Sequence, residues 1–174
     1  AVSFAVEQKI RLIIFGGHDA EVCAALLKKH DVPVIIDSTH RKPSRRHEPY
    51  DVAYTLPARL SKAGVQFCIS GSDRNATWNA RNLPYHAATA AAHGLRRGEA
   101  LRSVTLYPAQ ILGIADRVGS LEPGKDATLI VTTGDPLETK THVTRAYVQG
   151  RSVQLTSRHT RLRDKYLEKY RQQK

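Results

Sequence analysis

Two residues stand where a short apolar run gives way to a polar stretch, and both are types that bind metal ions or move protons. Asp73 lies in the loop Ser70-Gly-Ser-Asp-Arg-Asn75, after the apolar run Val65 to Ile69. His18 follows Gly16-Gly17, after the run Ile10 to Phe15. Arg81 and Asn82 come a few residues beyond Asp73, and such side chains suit a substrate carboxylate, the arginine in bidentate fashion. A basic cluster, His40-Arg-Lys-Pro-Ser-Arg-Arg-His47, follows the run Val32 to Ile36; it reads either as a site for an anionic substrate or as a solvated loop. His86 falls inside an alanine-rich stretch and reads as a core histidine, with the alternative that it faces the mouth of the site. His93, just before Gly94, suits the negative end of a helix dipole. Asp73 also has a structural reading, as a loop aspartate that caps a turn or pairs with Arg74.

The elements that would position these residues begin with three strand–helix units. Ile10 to Phe15, Val32 to Ile36 and Val65 to Ile69 are short apolar strands. Asp19 precedes a helical stretch from Ala20 to Lys29, and a second helix spans about Tyr54 to Ala63 with Gly64 as its stop. Continuous apolar strands alternating with helices predict a parallel sheet covered on both faces. Three further helices are expected over 85–93, 99–105 and about 107–112, the last with Thr105 as N-cap and Gly113 as stop. From Val118 the pattern changes to short runs, Ala127 to Thr132, Val143 to Val148 and Ser152 to Leu155, with Gln149-Gly150-Arg151 as a hairpin turn. The end, from Thr156, reads as a basic helix with Leu162, Tyr166 and Tyr170 on one face.

Composition bounds the rest. The 174 residues are 41% hydrophobic and 25% charged, which fits a soluble globular protein. No apolar run approaches the roughly 18 residues of a membrane helix. The N-terminal residues have no basic n-region and no long apolar h-region, so they do not read as a signal peptide. The chain has no Met, and its first residues read as the end of a helix, so we expect a start inside a longer protein. Cys23 and Cys68 each sit in an apolar stretch and are expected to be buried free thiols. The net charge of +11 raises the question of nucleic acid. Neither basic cluster is interleaved with aromatics as a stacking platform requires, so a solvated basic face is the expected outcome.

Three segments are specific enough to carry a resemblance. They are Ala100-Leu-Arg-Ser-Val-Thr-Leu-Tyr-Pro-Ala-Gln-Ile-Leu-Gly113, Arg117-Val-Gly-Ser-Leu-Glu-Pro-Gly-Lys-Asp-Ala127 and Gly134-Asp-Pro136. Together they resemble the C-terminal signature of the amidohydrolase superfamily, nearest its imidazolonepropionase-like members. Arg81 to Ala87 and Tyr50 to Gly64 resemble the same subgroup. The signature residues are caps and turns. They identify a frame and do no chemistry.

The resemblance implies an α/β fold: the last strands and helices of a (β/α)8 TIM-like barrel, a small antiparallel β element of a composite β-sandwich, and a C-terminal helix. It places the partial barrel at 1–115, the sandwich contribution at 116–156 and the basic helix at 157–174. It implies hydrolysis of a C–N bond, in a cyclic amide or a dipeptide-like substrate, by water activated on a divalent metal, zinc above others. Asp73 takes the position of the catalytic, metal-binding carboxylate at the end of the last barrel strand, though its loop departs from the family's commoner Thr-Asp pattern. His18 takes a strand-end position used for metal-ligand histidines, or is a histidine at a helix start. No His-X-His motif occurs in the chain, so the fragment alone would lack most of the metal site. The expected partners are a small-molecule substrate and either the missing N-terminal half or a second copy; no membrane is expected. The alternative reading is a truncated or degenerate, non-catalytic barrel segment serving as a structural or binding unit. The sequence does not fix the compartment.

Overall fold

The structure, a computed structural model, describes residues 1–71 and 76–173. The first layer is a parallel sheet of β1 (Ile14–Phe15), β2 (Val34–Ile36) and β3 (Phe67–Ile69), in that spatial order. Ile14 pairs with Val34, and Val34 with Phe67, so the three strands run in near register and end together. Their C-terminal ends carry, in turn, Gly16 to His18, Asp37 to His40, and Ser70 to Gly71.

Helices accompany this sheet. They are α1 (Val2–Glu7), α2 (Ala24–Lys29), α3 (Val52–Ala63), α4 (Ala76–Asn79), α5 (Leu83–Ala92), α6 (Arg97–Arg102) and α7 (Leu106–Leu112). β2 and β3 supply Val34, Ile36, Phe67 and Ile69 to a core completed by Leu27, Leu56 and Leu60. Leu56 and Leu60 lie four apart on α3 and are fully buried. The alanines of α5 serve close packing: Ala87 and Ala90 are fully buried, which lets the helix lie near its neighbours.

A second sheet follows. β4 (Leu129–Thr132) and β5 (Val143–Val148) are antiparallel, and β5 turns back into β6 (Arg151–Ser152). Gln149 and Gly150 both have positive φ, +50° and +76°, as a tight two-residue hairpin turn requires. This sheet leaves Ile130, Val131, Val143 and Val148 exposed. The loop between β4 and β5 reaches back to the helical layer: Leu137 is buried in the main core. Arg97 on α6 holds the same loop by donating to Asp135 and, at 2.6 Å, to Glu138. The Asp-Pro part of the signature is therefore a clasp between the two layers. The glycine of its middle segment has a steric reason: a Cβ on Gly119, where φ is +98°, would stand 2.8 Å from Ala109 Cβ on α7.

The chain ends in α8 (Arg158–Arg171), opened by a capping box in which Ser157 and Thr160 satisfy each other's main-chain N–H groups. None of its residues is buried. Among the described residues, no helix is long and apolar enough to cross a membrane.

Several expectations shift. The helix expected over 20–29 begins only at Ala24, because residues 20–24 form successive three-residue turns (Ala20 N to Gly17 O, Cys23 N to Ala20 O). Asp19 caps nothing there; its carboxylate is bound by Arg45. The strands are shorter than their apolar runs because the ladder pairs only their last residues. Thr105 precedes α7 but its hydroxyl donates backward to Leu101 O, at 2.9 Å, so it is no side-chain cap. Cys68 is buried as expected, with its thiol pushed up to about 11 by burial, whereas Cys23 is exposed in the turns before α2.

Candidate active site

The polar side chains of interest gather at the C-terminal ends of β1, β2 and β3. β1 ends in a glycine pair because the chain must double back beside β2. Gly17 has φ +57°, and a Cβ there would come within 2.4 Å of Val34 Cγ1. That turn delivers His18 beside Asp37, the residue after β2. His18 Nε2 lies 3.1 Å from Asp37 Oδ1 and 3.2 Å from Oδ2. Asp37 also accepts from the main-chain N–H of Ser38 at 2.8 Å, which fixes its carboxylate plane.

The next residues of the same loop grip α5. Thr39 is fully buried and donates its main-chain N–H to His86 Nδ1 at 3.3 Å, while its hydroxyl donates to the His86 carbonyl oxygen at 3.0 Å. His40 stacks on His86, with ring centroids 4.1 Å apart and planes inclined by 25°. His40 Nε2 lies 2.8 Å from Thr89 Oγ1, one turn along α5. His86 is itself buried, and its ring edge faces Gly71, the residue that follows Ser70 at the end of β3. The sequence reading of His86 as a core histidine holds in burial. Its partners are at the strand ends, so it also borders the mouth. The Thr39–His86 and His40–Thr89 contacts link positions about fifty residues apart, and no local spacing signals them.

In the basic loop after β2, Arg41 and Arg45 are ion-paired. Arg45 donates to both Asp19 oxygens, at 2.8 and 2.6 Å, and stands 3.8 Å from Glu48. The Arg45 hydrogen bond holds the Asp19 carboxyl below its ordinary range. Glu48 is likewise lowered, chiefly by the Ser44 N–H at 2.7 Å, with Arg45 N–H and the charges of Arg41 and Arg45 adding to it. Two of its arginines thus stand against carboxylates, Glu48 in the same loop and Asp19 after β1.

The remaining expected site residues fall as follows. Asp73 lies outside the described residues. Arg81 is exposed, in a short 3-10 turn at 80–82 between α4 and α5. Asn82 is half-buried, with its amide 3.5 Å from Asn79 Oδ1. His93 forms the C-terminal end of α5 and packs its ring against Tyr54, centroids 4.9 Å apart. Among the described residues, no group of three or more His, Cys, Asp or Glu side chains stands close enough together to hold a metal ion. His18 and Asp37 offer two donors, which by themselves do not make a metal centre.

Comparison with known proteins agrees with this frame. The sequence model of the Amidohydrolase family matches residues 18–154. Amidohydrolase tasK of Hapsidospora irregularis is 40% identical over 63 residues, which are 36% of this chain and 6% of that protein. An amidohydrolase structure from Thermotoga maritima MSB8 superposes with a TM-score of 0.74 at 30% identity, over 88% of this chain and 39% of the other. A prolidase complexed with N-methylphosphonate-L-proline shares the fold, with a TM-score of 0.64 at 23% identity, over 88% of this chain and 42% of the other. The chain thus spans about two fifths of the length of these structures and a small part of the curated relative. The mixed α/β arrangement, a parallel sheet with helices followed by an antiparallel sheet, is theirs as well. A match across 18–154 takes in the strand-end residues His18 to His86 and the capping signature alike, and on it the chain belongs to the amidohydrolase family.

Proposed function

We propose that the intact protein hydrolyses a C–N bond in a cyclic amide or a dipeptide-like substrate, and that this chain is the closing part of its barrel. The observation that carries the reading is the family match over residues 18–154, together with a strand-end face on which His18 meets Asp37 and Thr39 meets His86. β1 to β3 are then the last strands of a (β/α)8 barrel within 1–115, residues 116–156 contribute to a composite β-sandwich, and 157–174 form the basic helix. The dipeptide-like option is supported by the likeness of fold to the prolidase. The partners are a small-molecule substrate and either the missing N-terminal part or a second copy.

The family resemblance implies a divalent metal, zinc in this reading, which when bound makes water nucleophilic at neutral pH. The described residues do not assemble a centre for it. The chain's own residues hold and place groups around the reaction. Asp73, two residues beyond Gly71, is assigned to hold the proton and deliver it to the leaving nitrogen. His18, oriented by Asp37, is assigned as a metal ligand through its remaining ring nitrogen. Arg81 and Asn82 are assigned to a substrate carboxylate.

Metal analysis of the intact protein, purified without chelator, tests the reading. Stoichiometric zinc is expected. A metal-free protein that is fully folded would favour a non-catalytic, structural role instead.

A further inference from the structure

Two nitrogens of Arg41, Nε and Nη2, have no hydrogen-bond partner among the described residues. Both are buried from solvent, and the side chain as a whole is 12% exposed. The third nitrogen, Nη1, is engaged: it donates to Lys42 O at 3.3 Å and to Ser44 Oγ at 3.4 Å, and it stands 3.9 Å from Glu48 Oε2. The last of these is an ion pair beyond hydrogen-bond distance. Glu48 Oε2 accepts instead from the main-chain N–H of Ser44 at 2.7 Å and of Arg45 at 3.3 Å. A buried donor without an acceptor costs free energy that folded chains seldom bear without a use.

The two groups share a geometry. Nε–H and the neighbouring Nη2–H lie on one edge of the planar guanidinium and point the same way, which is the fork that takes both oxygens of a carboxylate. Arg41 follows His40 in the loop after β2, and the charges of Arg45, His18 and Arg41 all act on Asp19, so the fork belongs to the strand-end face. Lys42 and Ser44, which touch the guanidinium, lie on a loop tied to the turn after β1 by Arg45, whose fork holds both Asp19 oxygens. Arg45 and Asp19 are 52% and 56% exposed, and a pair so exposed opens at small cost. We propose that Arg41 is a specificity-determining residue: a fork for a carboxylate of the substrate, uncovered when the Arg45–Asp19 latch opens. A carboxylate there supplies the acceptors that Nε–H and Nη2–H lack, and a counter-charge closer than that of Glu48. The proposal rests on the hydrolytic reading and adds a buried residue to Arg81 and Asn82, which that reading assigns to the same group.

The experiment is a titration of the intact protein, labelled with 15N-arginine, by N-acetylglycine and by its neutral counterpart N-acetylglycinamide. The Arg41 Nε–H signal is identified by its loss in Arg41→Lys or, should that variant not fold, by its displacement in Glu48→Gln. The expected result is a saturable downfield shift of that proton with the acid and none with the amide, as a new hydrogen bond to a carboxylate requires. Arg41→Lys keeps the charge and loses the fork, and by calorimetry it is expected to bind the acid about 10- to 100-fold more weakly. Arg45→Gln removes a positive charge, so electrostatic attraction by itself would weaken binding of the acid. Loss of the latch is expected to tighten it instead, about two- to fivefold. The same shift with acid and amide, no shift with either, an affinity unchanged in Arg41→Lys, or equal or weaker binding in Arg45→Gln overturns the proposal. These readings need no turnover, so they can fail while hydrolysis stands, and hydrolysis can fail while they stand.

Discussion

His18 and Asp37 bridge the ends of neighbouring strands, with Nε2 of the one 3.1 and 3.2 Å from the two carboxylate oxygens of the other. A carboxylate that accepts from one ring nitrogen directs the lone pair of the other outward, and histidine ligands of metal ions are oriented this way. Here the outward nitrogen is Nδ1. In the intact protein, His18→Ala is expected to remove a ligand outright, and Asp37→Ala to weaken metal binding about 10- to 100-fold while the fold is kept. Competition with a chelator measures both. Unchanged metal affinity in His18→Ala would leave this histidine as a hydrogen-bonded residue at a turn and nothing more.

The turn that delivers His18 depends on the absence of a side chain at residue 17. Its φ of +57° and the 2.4 Å approach of a would-be Cβ to Val34 Cγ1 leave no relaxed position for alanine. Strain of this kind costs about 1–3 kcal/mol. Gly17→Ala should therefore lower the unfolding free energy measured in urea by that amount and displace His18 from Asp37. Stability equal to that of the parent would show that β2 yields at Val34 more easily than close packing allows.

The two layers are joined at Arg97, and that join is sensitive to acid. The Arg97 hydrogen bond, with a smaller part from the Leu137 N–H, holds the Asp135 carboxyl below its ordinary range. A carboxyl whose pKa is lower in the folded chain stabilises the fold above its unfolded value, about 3.9 for aspartate. That contribution declines as pH falls and is gone below the depressed value. Solvent screens the pair, since Arg97 and Asp135 are both partly exposed, so the effect is modest. Arg97→Gln is expected to be less stable than the parent at pH 7, and the two midpoints should converge as pH drops below about 4. A gap of constant size at pH 7 and pH 3 would mean that the arginine acts by packing alone.

Much of this fold is legible in the sequence, for reasons that differ by element. The apolar runs around Ile14, Val34 and Phe67 declare themselves because strands buried on both faces have no polar alternation to interrupt them. The hairpin at Gln149-Gly150 is legible because few residue pairs accept two positive φ values. The start of α2 is not legible. Ala20 to Cys23 have helical composition, yet Gly17 and the tight path past Val34 turn them into successive short turns, and the decision lies in a tertiary contact. Asp19 misleads for the same reason: its partner, Arg45, stands 26 positions away. The site is read only in part. His18 is visible as a polar residue after an apolar run, whereas Asp73 lies outside the described residues. His86 in the site, Thr39 as its clamp and Asp37 as the partner of His18 depend on which helix packs over which strand end. The basic loop reads by composition as an anion site or a solvated loop, and the pairing of Arg45 with Asp19 and its approach to Glu48 are not visible in local spacing.

The central claim is that this chain closes the barrel of an enzyme that cleaves C–N bonds, with Asp73 moving the proton. It is tested most directly by the turnover of the intact protein and of Asp73→Asn on small cyclic amides and dipeptides. Loss of a positioned acid–base group removes about 10²–10⁴-fold in rate. The account predicts that the parent hydrolyses at least one of these substrates and that Asp73→Asn falls by about that factor in kcat, with its fold and its metal content recorded alongside. Equal turnover in the two proteins would contradict it.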